Sequence, residues 1–316
     1  MNVDISKRIR KNVPLAPLTS FKIGGKAKFF VEVKSKNELV AAINWAKNKD
    51  FDFCILGGGS NVLIADGIIN KLFIKINHAG LEVKNNKIKC GAGTILNIII
   101  QKTIKNNLTG LEWAMGIPGT IGGATRGNAL AFKSTMGDIV EKVEAFDLRR
   151  NKFVVFNRQQ CRFTNKSSIF KQNSNFVIWD VYLKLKKEKE QKIAANLSRY
   201  LLVRKNHPKL PSAGCIFKNF PVSYVKNNNP ELYQEAKDNK IIRNKLISAG
   251  WVISRTGLPG KMVGDAQVSL DHANFIVNTG RAKAEDVIIL IGLVKQRLRT
   301  EYNLQPQEEI EYIGFE

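Results

Sequence analysis

The stretch FCILGGGSNVLIAD (53–66) constrains this chain more than any other. A short apolar run ending in three glycines reads as a buried strand that delivers a backbone loop at its carboxyl end. Upstream, FFVEV (29–33) reads as another strand. SKNELVAAINWAKNKD then opens with Ser35 and Glu38 at capping-box spacing and carries Leu39, Ala42, Ile43 and Ala46 on one helical face. Strand, helix and strand in succession make an α/β unit. The glycines allow positive φ and turn several N–H groups into one concavity, and Ser60 and Asn61 add side-chain donors, which suits a diphosphate. A plain glycine turn explains the loop equally well when it is taken alone. The dinucleotide fingerprint G-x-G-x-x-G is absent from it.

A second glycine cluster, GIPGTIGGATRGNA (116–129), follows GLEW, with Thr120 as a further donor. Two such loops, each behind an apolar segment, point to a long ligand clasped at both ends, of the shape of FAD. Between and beyond them, TILNIIIQKTIKNN (94–107) reads as a helix, VEAFDLRRNKFVVF (143–156) as a hairpin and FVIWDVYLKL (176–185) as a strand. Lys186 to Lys205 reads as a charged helix leading into a new subdomain. Val287, Leu290, Ile291, Val294 and Leu298 mark a packed amphipathic helix. The class is mixed α/β, with more hairpins than a doubly wound parallel sheet would show.

Composition narrows the function. A chain of 316 residues, 44% hydrophobic and 24% charged, is an ordinary globular protein with two or three subdomains. Its net charge of +23 invites a nucleic-acid reading, but the basic residues are scattered singly and no zinc-finger or aromatic RNA-binding signature accompanies them. A polyanionic small ligand needs only a few of these charges. No apolar run has the length of a membrane span, and the basic N-terminus lacks a signal peptide's apolar stretch, so a cytoplasmic protein without membrane or nucleic-acid partners is expected. Cys54, Cys90, Cys161 and Cys215 lie far apart without a C-x-x-C pair, and His78, His207 and His272 are equally separated. Neither a metal site nor a disulfide framework is expected.

The motifs TSFKIGGKA (19–27), LGGGSNVLIAD (56–66), GAGTILNIII (91–100), GLEWAMGIPGTIGGA (110–124), PSAGCIFKN (211–219), AQVSLDHANFIVNTG (266–280) and EIEYIG (309–314) together resemble the UDP-N-acetylenolpyruvoylglucosamine reductase family. The resemblance runs over nearly the whole chain. It implies a vanillyl-alcohol-oxidase-type FAD fold of two α/β subdomains, with a C-terminal α+β substrate domain. Residues 1–75 and 76–204 would bind FAD, with 304–316 returning to the latter, and 205–303 would bind the UDP-sugar. The short stretch between SSIF and PSAGC resembles the compact subtype, and a monomer is expected.

The implied reaction uses NADPH to reduce FAD, which passes the hydride to UDP-N-acetylglucosamine enolpyruvate and gives UDP-N-acetylmuramate for peptidoglycan synthesis. The resemblance assigns the proton donor to Cys215, where serine is usual. A thiol, with an unperturbed pKa near ~8.5, is the easier donor to an enolate, provided that nearby cations do not leave it a thiolate. Glu309 falls on the catalytic glutamate, with Glu308 the competing acid. The catalytic arginine of Y-R-x-S-x-F has no exact counterpart in CRFTNKSSIF (161–170): Ser168 and Phe170 align, and Lys166 stands for the arginine. Lysine keeps the charge but loses the planar fork, so either Lys166 or Arg162 serves.

The resemblance gives the cofactor Ile23, Gly24, Gly57, Gly58, Gly59, Ser60 and Asn61 from the first motifs. From the later cluster it gives Gly116, Ile117, Pro118, Gly119, Thr120, Gly122 and Gly123. Lys218, Asn219 and Arg204 would meet the substrate's diphosphate. Gln267, Ser269, His272 and Asn274 would shape the substrate domain rather than perform chemistry. Leu130 and Asp265 depart from the family pattern, and residues 221–245 are an insertion without readable chemistry. The alternatives are another FAD oxidoreductase of the same fold, although no flavin-tethering histidine lies near Gly57–Ser60, and a basic nucleic-acid-binding protein.

Overall fold

Ser35 ends the strand Lys26–Val33 and starts the helix Lys36–Asn48, its hydroxyl accepting from the N–H of Glu38. The Glu38 carboxylate takes the N–H of Lys34 at 2.7 Å, one residue earlier than a standard box. Leu39, Ala42, Ile43 and Ala46 are the buried positions, and Phe53–Leu56 follows as the next strand. The expected α/β unit is therefore formed. The computed structural model describes residues 4–205 and 207–315.

Two compact units divide the chain. The first comprises Met1–Val13, Ala27–Gly58 and Asn70–Lys205; the second comprises Pro14–Lys26, Gly59–Ile69 and Asn206–Glu316. Their boundaries cross the three expected pieces, since the last residues group with 206 onward.

The first unit carries two sheets. One has the order Arg10–Pro14, Lys26–Val33, Ile68–Ile76, Phe53–Leu56, and its last two strands run parallel, Phe53 opposite Leu72. The other has the order Lys152–Asn157, Val140–Asp147, Phe176–Lys184, Lys87–Gly91, Leu81–Lys84 and is antiparallel throughout. The expected hairpin is its Val140–Asp147 and Lys152–Asn157 pair. The helix Leu96–Lys105 buries Leu96, Ile99, Ile100 and Thr103. One core, including Ile43, Leu72, Ile99, Val143, Trp179 and Val181, joins these elements. Each fully buried large aliphatic contributes about 2–3 kcal/mol.

The second unit builds its core chiefly from residues after 206. Phe21, Ile23 and Leu63 enter it from the two earlier segments. The sheet Ser212–Cys215, Phe275–Asn278, Ala266–Val268, Met262–Val263 packs with the helix Ala284–Tyr302, whose Val287, Leu290, Ile291, Val294 and Leu298 are buried as the periodicity predicts. The insertion hangs from a two-residue ladder, Phe220 opposite Ile247, and forms the helices Val222–Asn228 and Pro230–Asp238. Asn229 caps the second of these through Leu232 N–H at 2.8 Å, with proline at the first helical position. Val225, Leu232 and Ala236 are buried in the core, so the insertion is a packed helical pair rather than a loose loop. No helix among the described residues is long and apolar enough to cross a membrane.

Candidate active site

In the first unit the two glycine clusters come together. A Cβ built on Gly58 would lie 2.5 Å from the Cα of Gly119, and one on Gly57 would lie 3.0 Å from Thr120 Oγ1. Only glycine at position 58 lets the two backbones meet this closely. The loops therefore form one cradle rather than separate ends of a clasp. The second loop is stitched to the segment before the Leu96–Lys105 helix. Ile121 N–H donates to Thr94 O at 2.9 Å, Leu96 N–H to Gly119 O at 3.1 Å and Gly116 N–H to Asn97 Oδ1 at 3.0 Å. Thr120 caps the short helix Ile121–Arg126 through Gly123 N–H, so Thr120, Gly122 and Gly123 have local work in the loop. Ile117 is half-buried, while Pro118 is exposed.

Arg204 ends the helix Glu190–Arg204 against this loop. Its Cδ would be 3.4 Å from a Cβ on Gly116, its Nη2 donates to Trp113 O at 3.1 Å, and its guanidinium lies over the Phe132 ring at 5.3 Å. Its Nε is buried without a protein acceptor. Arg204 thus belongs to the unit of the glycine cradle, whereas Lys218 and Asn219 belong to the other. A partnerless buried donor beside a backbone cradle fits a ligand that brings its own acceptor oxygens, as a diphosphate does.

Lys166 and Arg162 share a loop of the first unit. Thr164 and Ser167 exchange hydrogen bonds at 2.9 and 3.3 Å, making a tight turn with Lys166 at φ 56°. Asn128 Nδ2 holds the turn through Thr164 O at 2.7 Å, and Ser168 Oγ donates to Arg126 O at 2.6 Å. Lys166 is half-buried and Arg162 is exposed.

The second unit holds Cys215. It is the last residue of the strand Ser212–Cys215. Ser212 pairs with Val277 and Cys215 with Phe275, so one extra residue is inserted between them. Gly214, at φ 80°, absorbs that bulge, which re-aims the following side chain. Cys215 is half-buried.

The next residues are fixed on two sides. Ile216 N–H donates to Asn274 O at 2.8 Å, and the Asn274 amide brackets Phe217, accepting from its N–H at 2.9 Å and donating to its carbonyl at 2.8 Å. On the other side, Glu309 N–H donates to Ile216 O at 2.7 Å, Phe217 bridges Glu308, and Lys218 N–H donates to Gln307 O at 2.8 Å. The C-terminal acids are thereby brought to the Cys215 strand.

The two acids have different surroundings. Glu308 pairs with Lys295 Nζ at 2.7 Å, on the helix Ala284–Tyr302. The Glu309 carbonyl accepts from Asn61 Nδ2 at 3.1 Å. Ile23 is buried in the second core, so only its backbone and that of Gly24 can face a ligand. Asn219 is exposed and accepts from Ala249 N–H at 3.1 Å.

Burial lowers the pKa of His272, its Nδ1 accepts from Asn274 N–H at 3.3 Å, and its ring packs on Phe275 and His207. Sequence separation had concealed the His207–His272 contact, which no spacing rule would reveal. Asp265, a departure from the family pattern, holds the turn before the long helix by accepting from Arg281 N–H at 2.7 Å. Among the described residues no cluster of His, Cys, Asp and Glu could hold a metal ion.

Comparison with known proteins places both units. Residues 27–155 match the FAD binding domain model, and residues 206–313 match the model described as UDP-N-acetylenolpyruvoylglucosamine reductase, C-terminal domain. The UDP-N-acetylenolpyruvoylglucosamine reductase of Clostridium novyi is 31% identical over all of this chain and 98% of its own length. That of Pseudothermotoga lettingae is 34% identical, covering 96% of this chain and 97% of its own. The crystal structure of the Thermus caldophilus enzyme superposes with a TM-score of 0.78 at 31% identity, over 96% of this chain and 99% of that one.

Proposed function

We propose that Cys215 is the proton donor and Glu309 its companion acid in the reaction of the UDP-N-acetylenolpyruvoylglucosamine reductase family, to which this chain belongs. The protein is an FAD-dependent oxidoreductase of peptidoglycan precursor synthesis, with a vanillyl-alcohol-oxidase-type FAD fold and a C-terminal substrate domain. When bound, FAD supplies hydride chemistry, accepting from NADPH and delivering to the enolpyruvyl double bond.

The chain's own residues do the rest. The cradle of Gly57, Gly58 and Gly116–Thr120 offers backbone N–H groups to the cofactor's diphosphate, and Arg204 adds a cation with an unfilled Nε donor. The Cys215 thiol gives its proton to the carbon beside the one that receives hydride. Glu309 hydrogen-bonds the substrate's carboxylate end, where enolate charge builds. Lys166, or Arg162 in its place, supplies positive charge to that same end, as a point charge if lysine and as a fork if arginine. Lys218 and Asn219 meet the substrate's diphosphate. A nucleotide-linked substrate and a nicotinamide reductant support a cytoplasmic site of action.

The observation that carries the assignment is the Glu309 N–H to Ile216 O hydrogen bond, which brings a C-terminal acid to the residue after Cys215. The test is anaerobic. Protein purified with its flavin should be reduced by NADPH and then reoxidised by the enolpyruvyl UDP-sugar. Persistence of reduced flavin with that sugar present would defeat the assignment.

A further inference from the structure

Asn61 closes the first glycine loop, where its amide would ordinarily be given to the cofactor's diphosphate. One N–H of that amide has a protein acceptor. Asn61 Nδ2 donates to the carbonyl of Glu309 at 3.1 Å, across a sequence separation of 248 residues. The backbone carbonyl of Asn61 accepts from Glu311 N–H at 3.0 Å, and from there Val62–Ile64 runs parallel to Glu311–Ile313.

Glu309 is therefore gripped on both sides of its own backbone. Its N–H is held by Ile216 O at 2.7 Å, beside Cys215, and its C=O is held by Asn61. Ile310, buried between the two Asn61 contacts, prevents the segment from rolling. The grip on the carbonyl comes from a side chain, because the regular ladder begins only at Glu311. The chemistry selects asparagine: aspartate has the same shape but no N–H, and would set a carboxylate against the Glu309 carbonyl oxygen.

We propose that Asn61 is a positioning residue for Glu309, tying the acid's place to the loop that receives the cofactor. The proposal rests on Glu309 being the acid. Asn61 acts through the backbone of Glu309 and does not touch the reacting atoms. Asn61 and the Glu309 backbone then move as one piece, and the carboxyl follows.

A double-mutant cycle in the flavin-loaded enzyme tests this by stopped flow. Asn61→Asp and Asn61→Ala should slow reoxidation of reduced flavin by the enolpyruvyl UDP-sugar by about 10–100-fold, the cost of a misplaced catalytic group. The comparison is made on enzyme saturated with FAD, checked by flavin fluorescence, so that any loss of cofactor affinity is titrated out, and the sugar-dependent loss should persist at saturation. Asn61→Ser, which keeps a short donor, should recover part of the loss and carries the test if the other variants fold poorly. In a Glu309→Gln background the Asn61 substitutions should add less than about twofold, because the group they position has already been removed.

Multiplicative effects would overturn the inference, as would a loss that disappears at FAD saturation, which would make Asn61 a cofactor ligand. A fully active Asn61→Asp enzyme would also overturn it. Glu309→Gln with full sugar-dependent reoxidation would instead remove the reading of Glu309 as the acid, and this inference with it.

Discussion

The backbone N–H of Glu309 donates to the carbonyl of Ile216 at 2.7 Å, joining the C-terminal segment to the residue that follows Cys215. Neighbouring Glu308 is tied to Lys295 instead. The two acids should therefore separate cleanly in kinetics. Glu309→Gln should slow the sugar-dependent half-reaction by about 10²-fold or more. Glu308→Gln should leave that rate nearly intact and cost at most about 1 kcal/mol of stability, since its ion pair is part-exposed. Rapid-mixing kinetics and urea melts decide the matter, and an inverted pattern would move the acid to Glu308.

Cys215→Ala should leave NADPH-driven flavin reduction unchanged and lower sugar-driven reoxidation by about 10²–10⁴-fold. Cys215→Ser, which retains an O–H, should keep measurable turnover. Equal loss of both half-reactions would identify Cys215 as a packing residue. Anaerobic single-turnover absorbance of the flavin separates the steps.

At Gly58 the space argument is sharp, because an added Cβ meets the backbone of Gly119 rather than a movable side chain. Gly58→Ala should weaken FAD binding by at least about tenfold, from overpacking on the order of 1–3 kcal/mol. Gly292 lies inside the helix Ala284–Tyr302 with open space around its Cβ position. Gly292→Ala should stabilise the protein by about 0.5–1 kcal/mol and leave FAD affinity alone. Fluorescence titration and thermal melts test the pair of variants together.

Asp180 gives the first unit an acid limit. Burial raises its carboxyl's pKa, but the hydrogen bond with His78 at 2.8 Å and the charge of Lys89 at 3.5 Å outweigh this and hold it below the ordinary carboxylate value. A folded pKa below the unfolded value of ~3.9 adds stability above that pH, and this is lost as pH falls through the folded pKa. Lys89 is shifted upward, chiefly by Asp180. Its contribution is complete below its unfolded pKa of ~10.4 and is lost as pH rises through the folded one. Asp180→Asn should lower stability at neutral pH and flatten the decline below pH ~4 in urea melts. An unchanged acid limb would show that the pair is neutral to folding.

The four thiols should also divide by reactivity. Burial pushes Cys90 and Cys161 up to about 12, with the Asp180 charge adding to the rise at Cys90. Both should resist iodoacetamide in the native protein at pH 8, where Cys54 and Cys215, each half-buried, accept label. Mass spectrometry of the alkylated protein reads this directly. Labelling of Cys90 before Cys215 would contradict the packing described.

Local physics was well written into the sequence. The Ser35 cap, the Leu39–Ala46 face and the Val287–Leu298 face are near-neighbour patterns, and each stands where its periodicity places it. The glycine loops were legible as loops, but their contact at Gly58 and Gly119 was not, since it depends on how distant segments stack. The cap at Asn229-Pro230 signals a helix that the insertion's lack of chemistry had hidden. Cys215 sits at a strand's end because the Gly214 bulge carries the strand further than its small residues suggest. Asn61 and Glu309, like Arg204 and Gly116, are joined only by tertiary folding, and no spacing in one chain encodes such pairs.

Phe21, Ile23 and Leu63 have a further meaning for how this protein is made. They emerge early from the ribosome, yet the core that buries them is composed mainly of residues after 206. A nascent chain displays three large apolar side chains that must wait while about 140 further residues are made before the segment from 206 begins, an interval of roughly 7–30 s at about 5–20 residues per second. The second unit can close only after the segment from 206 onward has been made. The strand Glu311–Ile313, seated on Val62–Ile64, is made after the rest of that core, so the acid at Glu309 takes its place later than the strand that receives it.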